Sequence, residues 1–168
     1  MLTTPRLHLI PADLAILEAL IHKHQELTAP VACRIPDDWT EFPEVLEPTY
    51  HLLKGKPSLS PWWMYIFVHR ADQVLIGSGG FKGLPDEDGT VEIGYEIYVP
   101  YRQQGLATEV AKELVAFALS QPKVRNVMAH TLPEQNPSNR LLKKIGFKFD
   151  GTIQDPDDGE IWQWILKK

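Results

Sequence analysis

Between residues 91 and 119 an alternating strand passes through a short loop directly into a long helix, and no other stretch constrains the fold as tightly. Period two puts Val91, Ile93, Tyr95 and Ile97 on one strand face and Glu92, Gly94, Glu96 and Tyr98 on the other. Over residues 104–119, helical spacing gathers Leu106, Val110, Leu114 and Phe117 on one side with Ala107, Ala111, Val115 and Ala118 beside them, which predicts a buried helix. The joining loop, residues 101–108, has small residues at Gly105 and Ala107 that let the backbone approach a ligand closely. Amides of a first helical turn lack intrahelical acceptors and lie at the positive end of the helix dipole, so this junction suits an anion. Leu106 and Thr108 belong to that turn; Thr108 adds a hydroxyl, while Arg102, Gln103 and Gln104 can reach phosphate oxygens from the side. Neither G-x-x-x-x-G-K-[ST] nor G-x-G-x-x-G occurs, which removes the main support for a nucleoside triphosphate or a dinucleotide.

The flanking sequence fills out one domain. Residues 7–10 alternate into a strand that stops at Pro11, and Asp13 can cap a helix carrying Leu14, Leu17, Leu20 and Ile21. Repeated prolines across residues 28–61 leave room for one short helix near residues 45–53. Strands over 62–68 and 74–81 join the strand over 91–98 in an antiparallel meander. A strand over 124–131, a helix over 138–145 closed by Gly146, and a hairpin of residues 147–153 and 160–166 complete the chain. This order predicts an α/β fold, residues 1–168 forming a single domain whose mixed, mostly antiparallel central sheet of about seven strands is flanked by helices.

Composition narrows the classes. At 168 residues the chain can bury a core without cross-links, and its lone Cys33 excludes an internal disulfide and fits a reducing compartment. A net charge of -5 argues against holding a nucleic-acid backbone. No apolar run is long enough to span a bilayer and the first residues lack a leader-like apolar core, so a cytoplasmic protein without a membrane partner is expected. The histidines show no ligand spacing, so no metal site is expected.

The segment Arg102-x-x-Gly105-x-Ala107 matches the [QR]-x-x-G-x-[GA] pattern with which GNAT N-acetyltransferases grip the pyrophosphate of coenzyme A, and the sequence resembles that family. Thr4-Pro5-Arg6-Leu7 resembles its usual opening, Val91-Glu92-Ile93-Gly94-Tyr95 the fourth strand of its RimJ/RimL-like branch, and Pro137-Ser138 with Lys144-Ile145-Gly146-Phe147 its later helix and exit. The resemblance implies acetyl-CoA as co-substrate, with the backbone of Ile97 and Tyr98 along the thioester and pantetheine arm. It places Gln103, Gln104, Gly105, Leu106, Ala107 and Thr108 around the pyrophosphate. The pantetheine amide contact falls to Gln135 or Asn136. The implied reaction is acetyl transfer to a primary amine, on a small molecule or a protein N-terminus.

Such transfer needs a neutral amine, an N–H aimed at the thioester oxygen, and a proton for the departing thiolate. Glu92 and Glu96 share a strand face and either can accept the amine proton, with Glu92 favoured by the resemblance. The oxyanion donor is expected to be a backbone N–H near Ile97 or Tyr98. Many family members protonate the thiolate with a Tyr where this chain has Leu142; Ser138, one turn earlier on the same helix face, can donate instead, or can serve as an ordinary helix-start hydroxyl. The departure at Leu142 leaves a second reading, a non-catalytic acyl-CoA sensor of the same fold. Strand edges and tryptophans also suggest a homodimer.

Overall fold

A computed structural model describes residues 1–168, and its elements begin and end where the chain supplies caps and breakers. In order they are β1 (Leu2–Thr3), β2 (Leu7–Pro11), α1 (Leu14–Ile21), β3 (Glu26–Leu27), β4 (Cys33–Arg34), α2 (Leu46–Gly55), β5 (Met64–His69), β6 (Val74–Phe81), β7 (Thr90–Ile97), α3 (Leu106–Ser120), β8 (Asn126–Thr131), α4 (Pro137–Lys144), β9 (Lys148–Asp155) and β10 (Gly159–Lys167). Asp13 caps α1 as its position suggested, accepting from the Ile16 amide at 2.8 Å. The turn before β10 is held by Asp155, whose Oδ1 accepts from the amides of Asp157 and Asp158.

The strands form one sheet in the order β1-β2-β5-β6-β7-β8-β10-β9. Only β7/β8 and the single β4/β6 bridge are parallel. The sheet has ten strands, more than the periodicity suggested, because β1, β3 and β4 are two-residue pairings too short to show a pattern. Helix α3 starts at Leu106, two residues later than its apolar spacing implied, since Gln103 (φ 61°) and Gly105 (φ 78°) hold left-handed backbone. Likewise α4 starts at Pro137, with Asn136 as its cap, so Ser138 lies inside the first turn.

The two faces of the sheet are covered by different helices. On one face Val91, Ile93 and Ile97 of β7 pack with Leu106, Val110 and Leu114 of α3, Leu142 of α4 and Trp164 of β10. On the other, Met64, Ile66, Val68 and Leu75 pack with Ile16, Leu17 and Leu20 of α1 and Leu46 and Leu53 of α2. Strand β5 is apolar on both faces, as a central strand sandwiched between helix layers must be. Each fully buried Leu or Ile contributes roughly 1.5–3 kcal/mol by leaving water. Buried Trp164 keeps its indole N–H satisfied by donating to Thr131 Oγ1 at 2.9 Å.

Candidate active site

The site is created by two parallel strands that part. Strands β7 and β8 pair from Thr90↔Asn126 to Ile93↔Ala129 and no further. Beyond that rung β7 stays with β6, as far as Gly77↔Ile97, while β8 stays with β10 through Thr131↔Trp162. A wedge therefore opens between residues 94–97 of β7 and 130–131 of β8.

Backbone directions along β7 follow from its ladder with β6. Tyr98 donates its N–H to Ile76 O at 2.8 Å and Glu92 O accepts from Lys82 N at 3.0 Å, so residues 92, 94, 96 and 98 turn their polar backbone groups toward β6. Residues 95 and 97 turn theirs the other way, into the wedge. The expectation of an oxyanion donor near Ile97 or Tyr98 is thus corrected at Tyr98, whose amide already serves the sheet. The Tyr95 and Ile97 amides are the ones that face the opening.

From the wedge the chain leads through a 3-10 turn, Val99–Tyr101, to the head of α3. No side chain caps that helix. Gly105 adopts a left-handed conformation, and the direction of its missing side chain meets only Arg6 Nη2, at 3.6 Å. The amides of Leu106, Ala107 and Thr108 precede the first intrahelical bond, which Glu109 N makes to Gly105 O at 3.2 Å. Free donors, a positive dipole end and a glycine-lined approach fit a diphosphate. A buttress from far away in sequence fixes this loop. Arg6 donates from Nη1 to Gln104 O at 2.9 Å and from Nε to Glu109 Oε2 at 2.8 Å. Thr4 Oγ1 and the Arg6 amide also donate to Glu109 Oε1.

Two loop side chains are engaged otherwise than expected. Arg102 donates from Nε to Ile97 O at 2.7 Å and pairs through Nη2 with Glu41 at 2.6 Å, so its guanidinium must leave Glu41 to meet a phosphate. Gln104 Nε2 donates to Pro100 O at 3.2 Å. Gln103 is exposed, and Thr108 is half-buried with its hydroxyl unbonded to protein.

The two candidate bases differ sharply in environment. Glu96 accepts from Thr40 Oγ1, from the Glu41 amide at 3.0 Å and from Ser78 Oγ at 3.3 Å, so it anchors residues 40–42 beside the sheet. Glu92 receives both Lys82 Nζ and His130 Nδ1 on Oε1, the latter at 2.8 Å, and leaves Oε2 without a protein partner. It lies one residue before the last paired rung, at the apex of the wedge. On the same face a cleft of about 220 Å³ opens between α2 and the strands, lined by Val45, Thr49, Trp63, Met64 and Lys82 and floored by Gly94. A side chain at Gly94 would meet nothing within 4 Å, so its absence keeps the cleft clear beside Glu92.

At α4, Asn136 caps the helix, its Oδ1 accepting from the Asn139 amide at 3.0 Å. Capping is thereby done without Ser138, whose half-buried hydroxyl has no protein partner. Leu142 is 1% exposed, part of the core rather than the cleft wall. Asn139 is fully buried, donates to Glu134 O and leaves Oδ1 without a partner. Arg6, Glu109, Thr40, Glu41, Lys82 and His130 escaped the sequence reading. Arg6 and Glu109 lay in segments already singled out for other reasons, but nothing local ties them together across 103 positions.

The sequence and the fold both have known counterparts. The sequence profile of the acetyltransferase (GNAT) domain matches residues 6–148. An uncharacterized N-acetyltransferase, YjdG of Bacillus subtilis, is 27% identical over 98% of this chain and 96% of its own. Among solved structures, RimL, a ribosomal L7/L12 α-N-protein acetyltransferase in complex with coenzyme A, superposes with a TM-score of 0.70 at 16% identity, covering 98% of this chain and 95% of that one. A dodecameric spermidine N-acetyltransferase from Vibrio cholerae gives 0.70 at 11% identity over 98% and 95% of the two chains.

Proposed function

Because the chain belongs to the GNAT acetyltransferase family, we propose that it moves an acetyl group from acetyl-CoA to a primary amine by direct attack within a ternary complex. The observation that carries this reading is the parted β7/β8 pair opening onto the uncapped head of α3. The amides of Leu106, Ala107 and Thr108 would hold the diphosphate, with Gly105 giving close approach and Arg102 swinging from Glu41 to add a positive charge. The Ile97 and Tyr98 backbone and Gln135 or Asn136 would flank the pantetheine arm. Acetyl-CoA supplies an acyl group activated by a thiol leaving group.

The chain's own groups then have separable tasks. Glu92 Oε2 accepts the ammonium proton, directly or through water. The wedge-facing N–H of Tyr95 or Ile97 donates to the thioester oxygen as negative charge develops on it. Ser138 Oγ, free of capping duty, hands its proton to the departing sulfur and takes up the one that the attacking nitrogen sheds as the amide forms. The acceptor amine enters from the α2 cleft over Gly94, between Glu92 and Glu96, where the carboxylates favour a cation. RimL acts on a protein α-amine and the Vibrio cholerae relative on spermidine, and either acceptor type suits this cleft. An α-amine, with pKa near 8, is already about one-tenth neutral at pH 7, so it asks less of the base than a lysine-type amine near 10.4. The outer strand β9, with Phe149 53% exposed, offers an edge for a homodimer.

Thermal unfolding under acetyl-CoA titration tests the donor site; no stabilisation at millimolar ligand overturns it. Thiol release with a panel of amines and N-terminal peptides tests transfer. Glu92→Gln should lower kcat at least a hundredfold with little change in acetyl-CoA affinity. Tight acyl-CoA binding without thiol release from any amine would instead indicate the sensor that Leu142 allows.

A further inference from the structure

The sheet face that carries Glu92 also carries a polar chain across four neighbouring strands. His130 Nδ1 lies 2.8 Å from Glu92 Oε1, and His130 Nε2 lies 3.2 Å from Gln163 Oε1. Gln163 Nε2 donates to Asp150 Oδ2 at 2.9 Å. The order is β7, β8, β10, β9, with His130 directly opposite Gln163 in the ladder. His130 is also the first residue of β8 past the last rung shared with β7, so it sits at the apex of the wedge.

Donors and acceptors can be assigned from the far end. An ionised carboxylate only accepts, so Gln163 turns its amide nitrogen to Asp150 and its carbonyl to His130. A carbonyl only accepts, so the imidazole carries its hydrogen on Nε2. With Glu92 acting as a base its carboxylate only accepts, so the hydrogen of the Nδ1 to Oε1 contact sits on Nδ1 and the ring donates from both nitrogens. Lys82 Nζ meets the same carboxylate oxygen from the segment after β6. Both donors therefore pin Oε1 and turn Oε2 free.

We propose that His130 is a positioning residue for Glu92: the Gln163–Asp150 pair holds its ring through Nε2, and His130 with Lys82 fixes the carboxylate so that Oε2 alone meets the acceptor amine. The inference rests on the reading of Glu92 as base. In the step it serves, one N–H bond of the ammonium breaks and an O–H bond forms at Oε2. The nitrogen keeps its electron pair for attack, and the proton between Nδ1 and Oε1 stays where it was. The charged groups facing His130 are Glu92 from β7, Lys82 from the segment after β6, Asp155 at the end of β9, and Asp150 through Gln163.

The test measures kcat, KM for the amine, acetyl-CoA Kd and the pH profile of kcat/KM for Glu92→Gln, His130→Ala, His130→Asn and Gln163→Leu, together with ¹⁵N NMR of the His130 ring. His130→Ala should lower kcat on the order of tenfold and displace the acid limb of the profile, leaving acetyl-CoA Kd unchanged. His130→Asn, whose Nδ2–H lies near the lost Nδ1–H, should recover most of the rate. Gln163→Leu should leave Glu92 in place but abolish the protonated Nε2 signal and fall between wild type and His130→Ala. A His130→Ala enzyme with wild-type kcat and acid limb, beside an impaired Glu92→Gln, overturns the inference and spares the base. So does a wild-type ring with no proton on Nε2. Wild-type turnover in Glu92→Gln overturns both.

Discussion

Glu109 shows how one side chain, through Arg6, can shape the loop that leads into α3. Burial alone would raise its carboxyl, but hydrogen bonds from Thr4 and Arg6 and the Arg6 charge outweigh that and hold it below the ordinary 4.5. A depressed carboxyl contributes stability that is present above its unfolded value and lost as pH falls through the folded one. Glu109→Gln should therefore melt below wild type at pH 7, with the gap closing under about pH 4.5; a gap independent of pH contradicts the assignment. Gly105 makes the complementary point. Its side-chain direction meets nothing closer than 3.6 Å, so the cost of Gly105→Ala lies in the backbone, at φ 78°. That cost should be about 1 kcal/mol, with a smaller loss for Gly105→Asn, read by denaturant unfolding.

At the scale of an element, the first turn of α4 divides capping from the chemistry proposed for Ser138. Asn136 supplies the cap and Ser138 supplies none. Asn136→Ala should cost about 1 kcal/mol and lower Tm by roughly 2–4 °C. Ser138→Ala should leave Tm within a degree or so of wild type, because no protein hydrogen bond is lost, yet reduce turnover with acetyl-CoA affinity intact. Calorimetry and steady-state rates on the same two proteins check both. Equal loss of Tm in the two variants would return Ser138 to a helix-start role.

Across the whole molecule, the two proposed ligand sites are tied by one surface pair. Glu41 donates its amide to Glu96 beside the acceptor cleft and pairs its carboxylate with Arg102 of the phosphate loop. Both side chains are substantially exposed, 42% for Arg102 and 57% for Glu41, so the pair is worth about 0.2–1 kcal/mol. Arg102 must give it up to contact a phosphate. Glu41→Gln should accordingly tighten acetyl-CoA binding by up to about fivefold at low salt, less at high salt, as measured by calorimetric titration. Unchanged affinity would mean that Arg102 stays with Glu41 throughout. The core is less forgiving: Leu114 is completely buried under the sheet, and Leu114→Ala should cost about 2–5 kcal/mol in denaturant unfolding.

Periodicity and punctuation determined much of this protein on their own. The alternation of β7, the apolar face of α3 and the small residues at Gly105 and Ala107 are local patterns, so the strand–loop–helix junction and the element order were readable from residues close together in the chain. The two-residue strands were not, because a pairing that short has no period. Tertiary structure alone decided how the site is wired. That β7 and β8 part after Ile93↔Ala129 depends on which partner each strand keeps. That Arg102 faces Glu41, Arg6 braces Gln104, and His130 reaches both Glu92 and Gln163 depends on side chains 33 to 98 positions apart. Hydrogen bonds and ion pairs act over a few ångströms of space, and spacing along a chain reports such proximity only within a helix turn or a strand pair.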